Sequence, residues 1–434
     1  MLLPMNEENH SQICLWVNAT RKWGHVLKSS VTTSGTLNPV SFSFIRFYLL
    51  AFLFFAANST LTIILPLRSE AAGLNQAEIG LMMGAYMFTC MLLRPFAAQL
   101  LGRYGPLRVM KWLLILHAAT LLLFVVFGVE TYLWLRALQG VATAFFSMTM
   151  QAGIVEKLED KDRAQGLSMY TLFTMVPSLV IPILAIQIWE NASDIWFTLL
   201  MIGLAAFPLL IGYNVDLPRS TVQNKSYTLG DMMRSFGGIW RSTPLLISSV
   251  VMLFASCVFG ATATFLPLYM VSTGMASAGV FLTIQGLVVI LCRFILRKKI
   301  PSDGSWNTWL MAGLLLCAAL GTQLLAMSET VGSLVYLSAV FSGFAVALLY
   351  PTLTTYLSFV LPADSRYVLM GIFMSSYDLG FSLGGLAMGL IVQISSYSTM
   401  FTICTLLSVA AMILVVAYRQ RMEAGNRAKP AVTA

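Results

Sequence analysis

Apolar residues run along the chain in long blocks separated by short polar breaks. Six blocks come first, at about 44–66, 76–101, 107–128, 131–155, 165–189 and 195–213. A polar stretch at 214–243 follows, containing Asp216, Pro218, Arg219, Lys225, Asp231, Arg234 and Arg241. Six more blocks lie at about 244–271, 277–297, 306–327, 331–357, 367–391 and 397–418. A helix needs about 20 apolar residues to cross the hydrocarbon core of a bilayer. The pattern therefore predicts an all-α membrane protein with twelve transmembrane helices in a 6+6 plan. Residues 1–43 read as a cytoplasmic N-terminal tail, with no apolar core of signal-peptide length. Residues 44–213 form one six-helix bundle, 214–243 a cytoplasmic linker, 244–418 a second bundle and 419–434 a cytoplasmic C-terminal tail.

Composition agrees with that plan. Of 434 residues, 58% are apolar and only 10% charged, against about 25% charged in an average soluble domain. So few charges exclude a soluble enzyme, a DNA-binding domain and a secreted disulfide scaffold. The net charge of +8 points to topology rather than to nucleic acid. With the N-terminus inside, 22 of the 26 basic residues fall on the cytoplasmic side, among them Arg103, Arg108, Lys157, Lys225, Lys298 and Arg419. Only Arg68 falls in an outer loop. Lysine and arginine accumulate inside, so both termini are expected in the cytoplasm and the protein in the cell membrane. Of six cysteines, five fall inside apolar blocks and none forms a CxxC or Cys/His cluster. They read as packing residues, with no metal site and no cofactor implied.

The two bundles repeat one another. LPL at 65–67 precedes Gly73, and LPL at 266–268 precedes Gly274, an offset of 201. Gly80 lies 14 residues before Arg94, as Gly279 lies 14 before Arg293, an offset of 199. QGVATAFFSMT at 139–149 matches SGFAVALLYPT at 342–352, an offset of 203. Three matches in order indicate a parallel repeat, which marks transporter halves related by a pseudo-twofold axis.

Ionisable groups inside the spans are few. Each costs roughly 2.5–3.5 kcal/mol at mid-bilayer on insertion scales, which makes it a functional candidate. They are Arg94, Arg136, Arg293 and Asp378, with His117 beside them. Three arginines against one aspartate suit a substrate bearing carboxylates, which guanidinium grips with paired hydrogen bonds. A pump for lipophilic cations would instead want carboxylates. Arg94 and Arg293 also admit a gating or structural role at the inner ends of their helices. Asp378 is the one carboxylate well inside a span, a candidate for proton coupling or a fixed partner of an arginine. His117 reads as a packing histidine. Asn58, Tyr86, Arg136, Gln139, Gln285 and Tyr350 are candidates for the cavity wall, although a lone buried amide or phenol is ordinarily a helix–helix hydrogen bond. Tyr86 and Gln285 are repeat equivalents, each eight residues before its arginine.

The sequence carries no GxSxG, HExxH or Walker A motif, so neither an enzyme nor an ATP-driven pump is expected. A gradient must supply the energy, roughly 2.3 kcal/mol per charge per 100 mV. RPFAAQLLGRYGPLR at 94–108 and RALQG at 136–140 resemble motifs of the major facilitator superfamily. That resemblance assigns Arg103, Gly105 and Arg108 to a cytoplasmic gate. Gly102 stands where the loop motif has an acidic residue, and Val176–Pro177 where drug antiporters have Gly-Pro. FFAANSTLTIILPLRSE (54–70), QGVATAFFSMTMQ (139–151), GVFLTIQG (279–286), RKKIPSDG (297–304) and YPTLTTYLSFVLP (350–362) are similar to the staphylopine-type opine metallophore exporters of Gram-positive bacteria. This likeness implies export of a metal-free chelator with several carboxylates and amines, while Asp378 and the need for a gradient point to protons as coupling ion. A general multidrug or arabinose-type efflux permease is the alternative, and a membrane receptor without flux a more distant one.

Overall fold

The computed structural model describes residues 41–104, 106–158, 160–191, 194–213, 242–274, 276–296, 305–362 and 366–427. The expected N-terminal tail before 41, most of the linker at 214–243, Gly105, RKKIPSDG at 297–304 and the end of the C-terminal tail lie outside these residues. The described residues are helical nearly throughout. The helices are α1 (Phe42–Ala71), α2 (Gln76–Tyr104), α3 (Pro106–Val126), α4 (Tyr132–Lys157), α5 (Asp160–Met175), α6 (Pro177–Glu190) and α7 (Asp194–Tyr213). The second group comprises α8 (Thr243–Thr273), α9 (Ala278–Ile295), α10 (Thr308–Ala326), α11 (Val335–Val360), α12 (Arg366–Ile394) and α13 (Tyr397–Arg427).

Eleven spans among the described residues are long and apolar enough to cross a membrane. The fourth expected span, α4, has 26 residues, roughly 39 Å at 1.5 Å per residue. It is the more polar one, with Arg136, Gln139, Thr143, Ser147 and Thr149 all buried. The fifth expected span is two helices, α5 and α6, which meet at Val176. Pro177, at the first position of α6, has no N–H to continue the ladder of α5.

The repeat read from the sequence has backbone counterparts. Gly73 and Gly274 both adopt positive φ, 91° and 64°, where α1 turns into α2 and α8 into α9. A left-handed residue ends a helix sharply, and glycine takes that conformation without a Cβ clash. Further in, α2 crosses α4 where a Cβ on Gly140 would meet the Tyr86 carbonyl. Likewise α9 crosses α11, where a Cβ on Gly343 would lie 3.2 Å from the Gln285 carbonyl oxygen. Small residues let helix backbones approach closely in a membrane, and both groups use the same crossing.

Packing differs between the two ends of the bundle. At the end carrying Arg68, one continuous apolar core draws on both groups, joining Leu61, Ile64, Met82 and Ile186 to Phe265, Leu266, Phe281 and Met388. Towards the other end the core divides. Phe44, Phe47, Met110, Phe146 and Ile154 pack within the first group, and Leu245, Met252, Leu353, Leu357 and Phe373 within the second. The seam at the Arg68 end is closed chiefly by α2 against α12. A Cβ on Gly385 would lie 2.9 Å from the Gly80 carbonyl. Ser382 Oγ donates to the Gly84 carbonyl at 2.9 Å, and Gln76 N–H to Gln393 Oε1 at 3.0 Å. Exposed tryptophans mark both ends, Trp134 and Trp196 at one and Trp112 and Trp309 at the other. Such residues concentrate at the lipid–water interface.

Candidate functional site

Arg136 sits about one turn inside α4 and is 1% exposed. Its guanidinium is held by neutral groups. One terminal nitrogen donates to Gln139 Oε1 at 2.8 Å and Asn58 Oδ1 at 3.2 Å, and the other to Thr62 Oγ1 at 3.4 Å. The Met83 sulfur lies 3.5 Å away, and the guanidinium carbon stands 4.8 Å from the centroid of the Tyr86 ring. A desolvated cation over an aromatic face gains about 2 kcal/mol. Nε of Arg136 has no partner, and no carboxylate pairs with this residue among the described residues. Four residues singled out in the sequence, Asn58, Tyr86, Arg136 and Gln139, therefore form one cluster. Thr62 and Met83 complete it. Sequence reasoning missed both, although Thr62 lies one helical turn beyond Asn58 and so on its face.

The second feature spans the two groups of helices. Arg94 on α2 donates through Nε and Nη2 to the two carboxylate oxygens of Asp378 on α12, the Nη2 bond being 3.1 Å. Asp378 is fully buried, whereas the Arg94 side chain is 18% accessible. Paired N–H···O bonds of this kind are stronger than neutral hydrogen bonds. Removing one partner of a buried pair costs about 3–5 kcal/mol. Cys90, one turn before Arg94, places its thiol 3.2 Å from the Gly140 carbonyl. The step from Tyr86 through Cys90 to Arg94 thus connects the cluster around Arg136 with the ion pair.

A series of aromatic rings includes Tyr377, the chain neighbour of Asp378. Tyr350 stacks on Phe373 at 5.7 Å and meets Tyr377 edge-on at 5.5 Å, and Tyr377 continues to Phe381 at 6.2 Å. The Tyr350 phenol lies within electrostatic reach of Arg94, Asp378 and Arg293. Phe373, Tyr377 and Phe381 were not singled out from the sequence. In a chain with 12% aromatic residues, adjacency to Asp378 was the one signal for Tyr377. Gln285 donates to Ser342 Oγ at 3.0 Å, an interhelical bond between α9 and α11. Arg293, the repeat equivalent of Arg94, has a buried Nε without a hydrogen-bond partner. Tyr350 and Tyr377 lie near its charge.

The remaining sequence candidates lie elsewhere. Arg103 falls near the end of α2 and Arg108, exposed, near the start of α3, on the end opposite Arg68. His117 is buried in a ring stack, 4.1 Å from Phe54, which lies 3.8 Å from Phe146. Its two nitrogens have no hydrogen-bond partner. At the other end Arg68 pairs with Asp194 and lies 4.0 Å over the Phe197 ring. A cleft of about 640 Å³ opens there, and its lining stops at Tyr132, one turn short of Arg136.

These features belong to a polytopic bundle with buried charges at its centre, and the comparisons with known proteins give its class. The profile of the Major Facilitator Superfamily matches residues 47–319 and 304–434. The chain belongs to that superfamily and is a multi-pass membrane transporter. It is 40% identical over 379 residues to the staphylopine export protein of Staphylococcus aureus (strain Mu50), covering 86% of this chain and 96% of that protein. The fold is also that of the nucleoside transporter NupG, with a TM-score of 0.70, 14% identity, and 86% and 98% of the two chains covered. The human organic anion transporter MFSD10 matches with a TM-score of 0.64 and 15% identity, again over 86% and 98%.

Proposed function

We propose that the protein is a proton-coupled exporter of a staphylopine-like opine metallophore, carried in its metal-free form from the cytoplasm. The observation that carries this reading is Arg136, a buried guanidinium whose partners among the described residues are all neutral. A carboxylate is the group best suited to complete it. Asn58, Tyr86 and Gln139 hold it in place, and this reading assigns Gln285 and Tyr350, from the second group of helices, to the substrate cavity as well. The 40% identity to a staphylopine exporter over nearly its whole length supports the substrate and the direction.

In this reading both termini are cytoplasmic and the Arg68 end faces outward. The continuous core at that end then closes the exterior, and the divided core opposite corresponds to an inward-facing state. Alternating access rocks residues 44–213 against 244–418. Asp378 is the proton-coupling group, while Arg94 and Arg293 act between gate and cavity and Arg103, Gly105 and Arg108 at the cytoplasmic loop.

Deleting the gene and growing cells under zinc limitation tests this function. Mass spectrometry should find an anionic chelator absent from the medium and accumulated in the cytosol. An unchanged metabolite profile, with new sensitivity to hydrophobic cations, would replace the reading with that of a drug efflux permease.

A further inference from the structure

The Arg94–Asp378 pair joins α2 to α12 across the seam that alternating access must open, and its two ends are unequal. Arg94 retains 18% side-chain accessibility, so its charge can be rehydrated when the pair parts. Asp378 is wholly buried. A buried carboxylate left without a cation is strongly unfavourable, so whatever separates the pair has to bring Asp378 a replacement. The charged and titratable groups around Asp378 are Arg94 and Cys90 from α2, Tyr350 from α11 and its neighbour Tyr377. Arg293 from α9 acts on the same two phenols. None of these besides Arg94 supplies a cation in contact with Asp378.

The surroundings match an organic cation. Tyr350 and Tyr377 lie within electrostatic reach of Asp378, and Phe381 continues the ring series from Tyr377; aromatic faces attract ammonium groups, most strongly when desolvated. Arg136, by contrast, lacks a carboxylate among the described residues. Buried charge of both signs is thus present, a guanidinium at Arg136 without a carboxylate and a carboxylate at Asp378 already filled by Arg94.

We propose that Asp378 and the rings beside it form a subsite for a substrate ammonium group, in which Arg94 stands in as an internal cation when no substrate is bound. The recognised molecule is a zwitterion, its carboxylate on Arg136 and its ammonium on Asp378. This inference rests on the export reading above and deepens it. A proton on Asp378 removes the charge that holds the ammonium, so binding of the free amine weakens as pH falls.

The test uses the full chain in nanodiscs, with binding followed by titration calorimetry. The probes are staphylopine, staphylopine with its amines acetylated, and 6-aminohexanoate against adipate. Acetylation should weaken binding by about tenfold or more, equivalent to about 1.4 kcal/mol. Asp378→Asn should abolish that difference and flatten the loss of binding as pH falls. Arg94→Gln should tighten binding of the free amine by about tenfold and leave the acetylated form unchanged. Arg94→Lys serves where Arg94→Gln does not fold, and should restore the wild-type affinity. If staphylopine and its acetylated form bind equally, the ammonium subsite falls and the export reading stands. If staphylopine is not bound but 6-aminohexanoate is preferred to adipate, and Asp378→Asn erases the preference, the subsite stands and the opine reading falls. Binding of none of the probes by either the wild type or Arg94→Gln would overturn both.

Discussion

The two repeats share a backbone and differ in chemistry. Arg136 in the first repeat corresponds, by the offset of 203, to Ala339 in the second, and both are buried. Asp378 has no counterpart either: offsets of 199–203 lead back to residues 175–179, which hold no ionisable group. The crossings at Gly140 and Gly343 nevertheless remain. Helix packing in a membrane constrains small residues at contact points and leaves cavity-facing positions free to diverge. One duplicated scaffold therefore presents a guanidinium from one side and a carboxylate among aromatic rings from the other. A symmetric cavity would favour a symmetric ligand, whereas on the proposed reading this one favours a molecule with unlike ends.

The strongest way to break the comparison is to remove its cationic side. Arg136→Ala should lower staphylopine counterflow in proteoliposomes about 100-fold, the loss of about 3 kcal/mol of charge-assisted hydrogen bonding. Ala339→Val at the equivalent position should leave counterflow within about twofold, since the two added methyl groups touch no charge. Equal losses at both positions would mean that Arg136 only holds helices together.

On the anionic side, Asp378→Asn should bind the substrate about tenfold more weakly, at the level of its amine-acetylated form, and lose accumulation driven by a pH gradient. Gradient-driven uptake into inverted vesicles is the measurement, and an undiminished gradient effect would remove Asp378 from coupling. A fourth substitution addresses the seam between the two groups of helices. Gly385→Leu places a side chain against the Gly80 backbone and should hold α2 and α12 apart at the Arg68 end. Distances between spin labels at that end should shift to the longer population, with transport reduced about tenfold. The smallest effect is expected at Tyr86. Tyr86→Phe keeps the ring under Arg136 and should change transport less than about twofold, while Tyr86→Ala should cost about tenfold, within the range of a desolvated cation–π contact.

Much of the fold was legible in the sequence because a bilayer imposes a length and a polarity on every span. The blocks at 76–101, 195–213 and 244–271 match α2, α7 and α8 to within a few residues. The block at 165–189 hid a break, because apolar content carries no information about backbone continuity. Only Pro177 signalled it. The site was legible in part. Asn58, Tyr86, Arg136 and Gln139 stood out as polar groups in apolar runs, where burial is costly enough to demand a reason. Thr62, Met83, Tyr377 and Phe381 did not, since threonine, methionine and aromatic residues are common in spans without any role.

By itself the sequence determined the spans, their repeat and the inventory of buried charge. Each follows from the cost of placing a group at a given depth, a local property. Tertiary structure decided the pairing. Arg94 and Asp378 are 284 positions apart, and nothing along the chain singles out this arginine rather than its repeat equivalent Arg293. Which end of the bundle is sealed was likewise settled by packing, because the same residues suit an open or a closed seam. Contacts between helices depend on how whole bundles meet, and a transporter keeps more than one such meeting within reach.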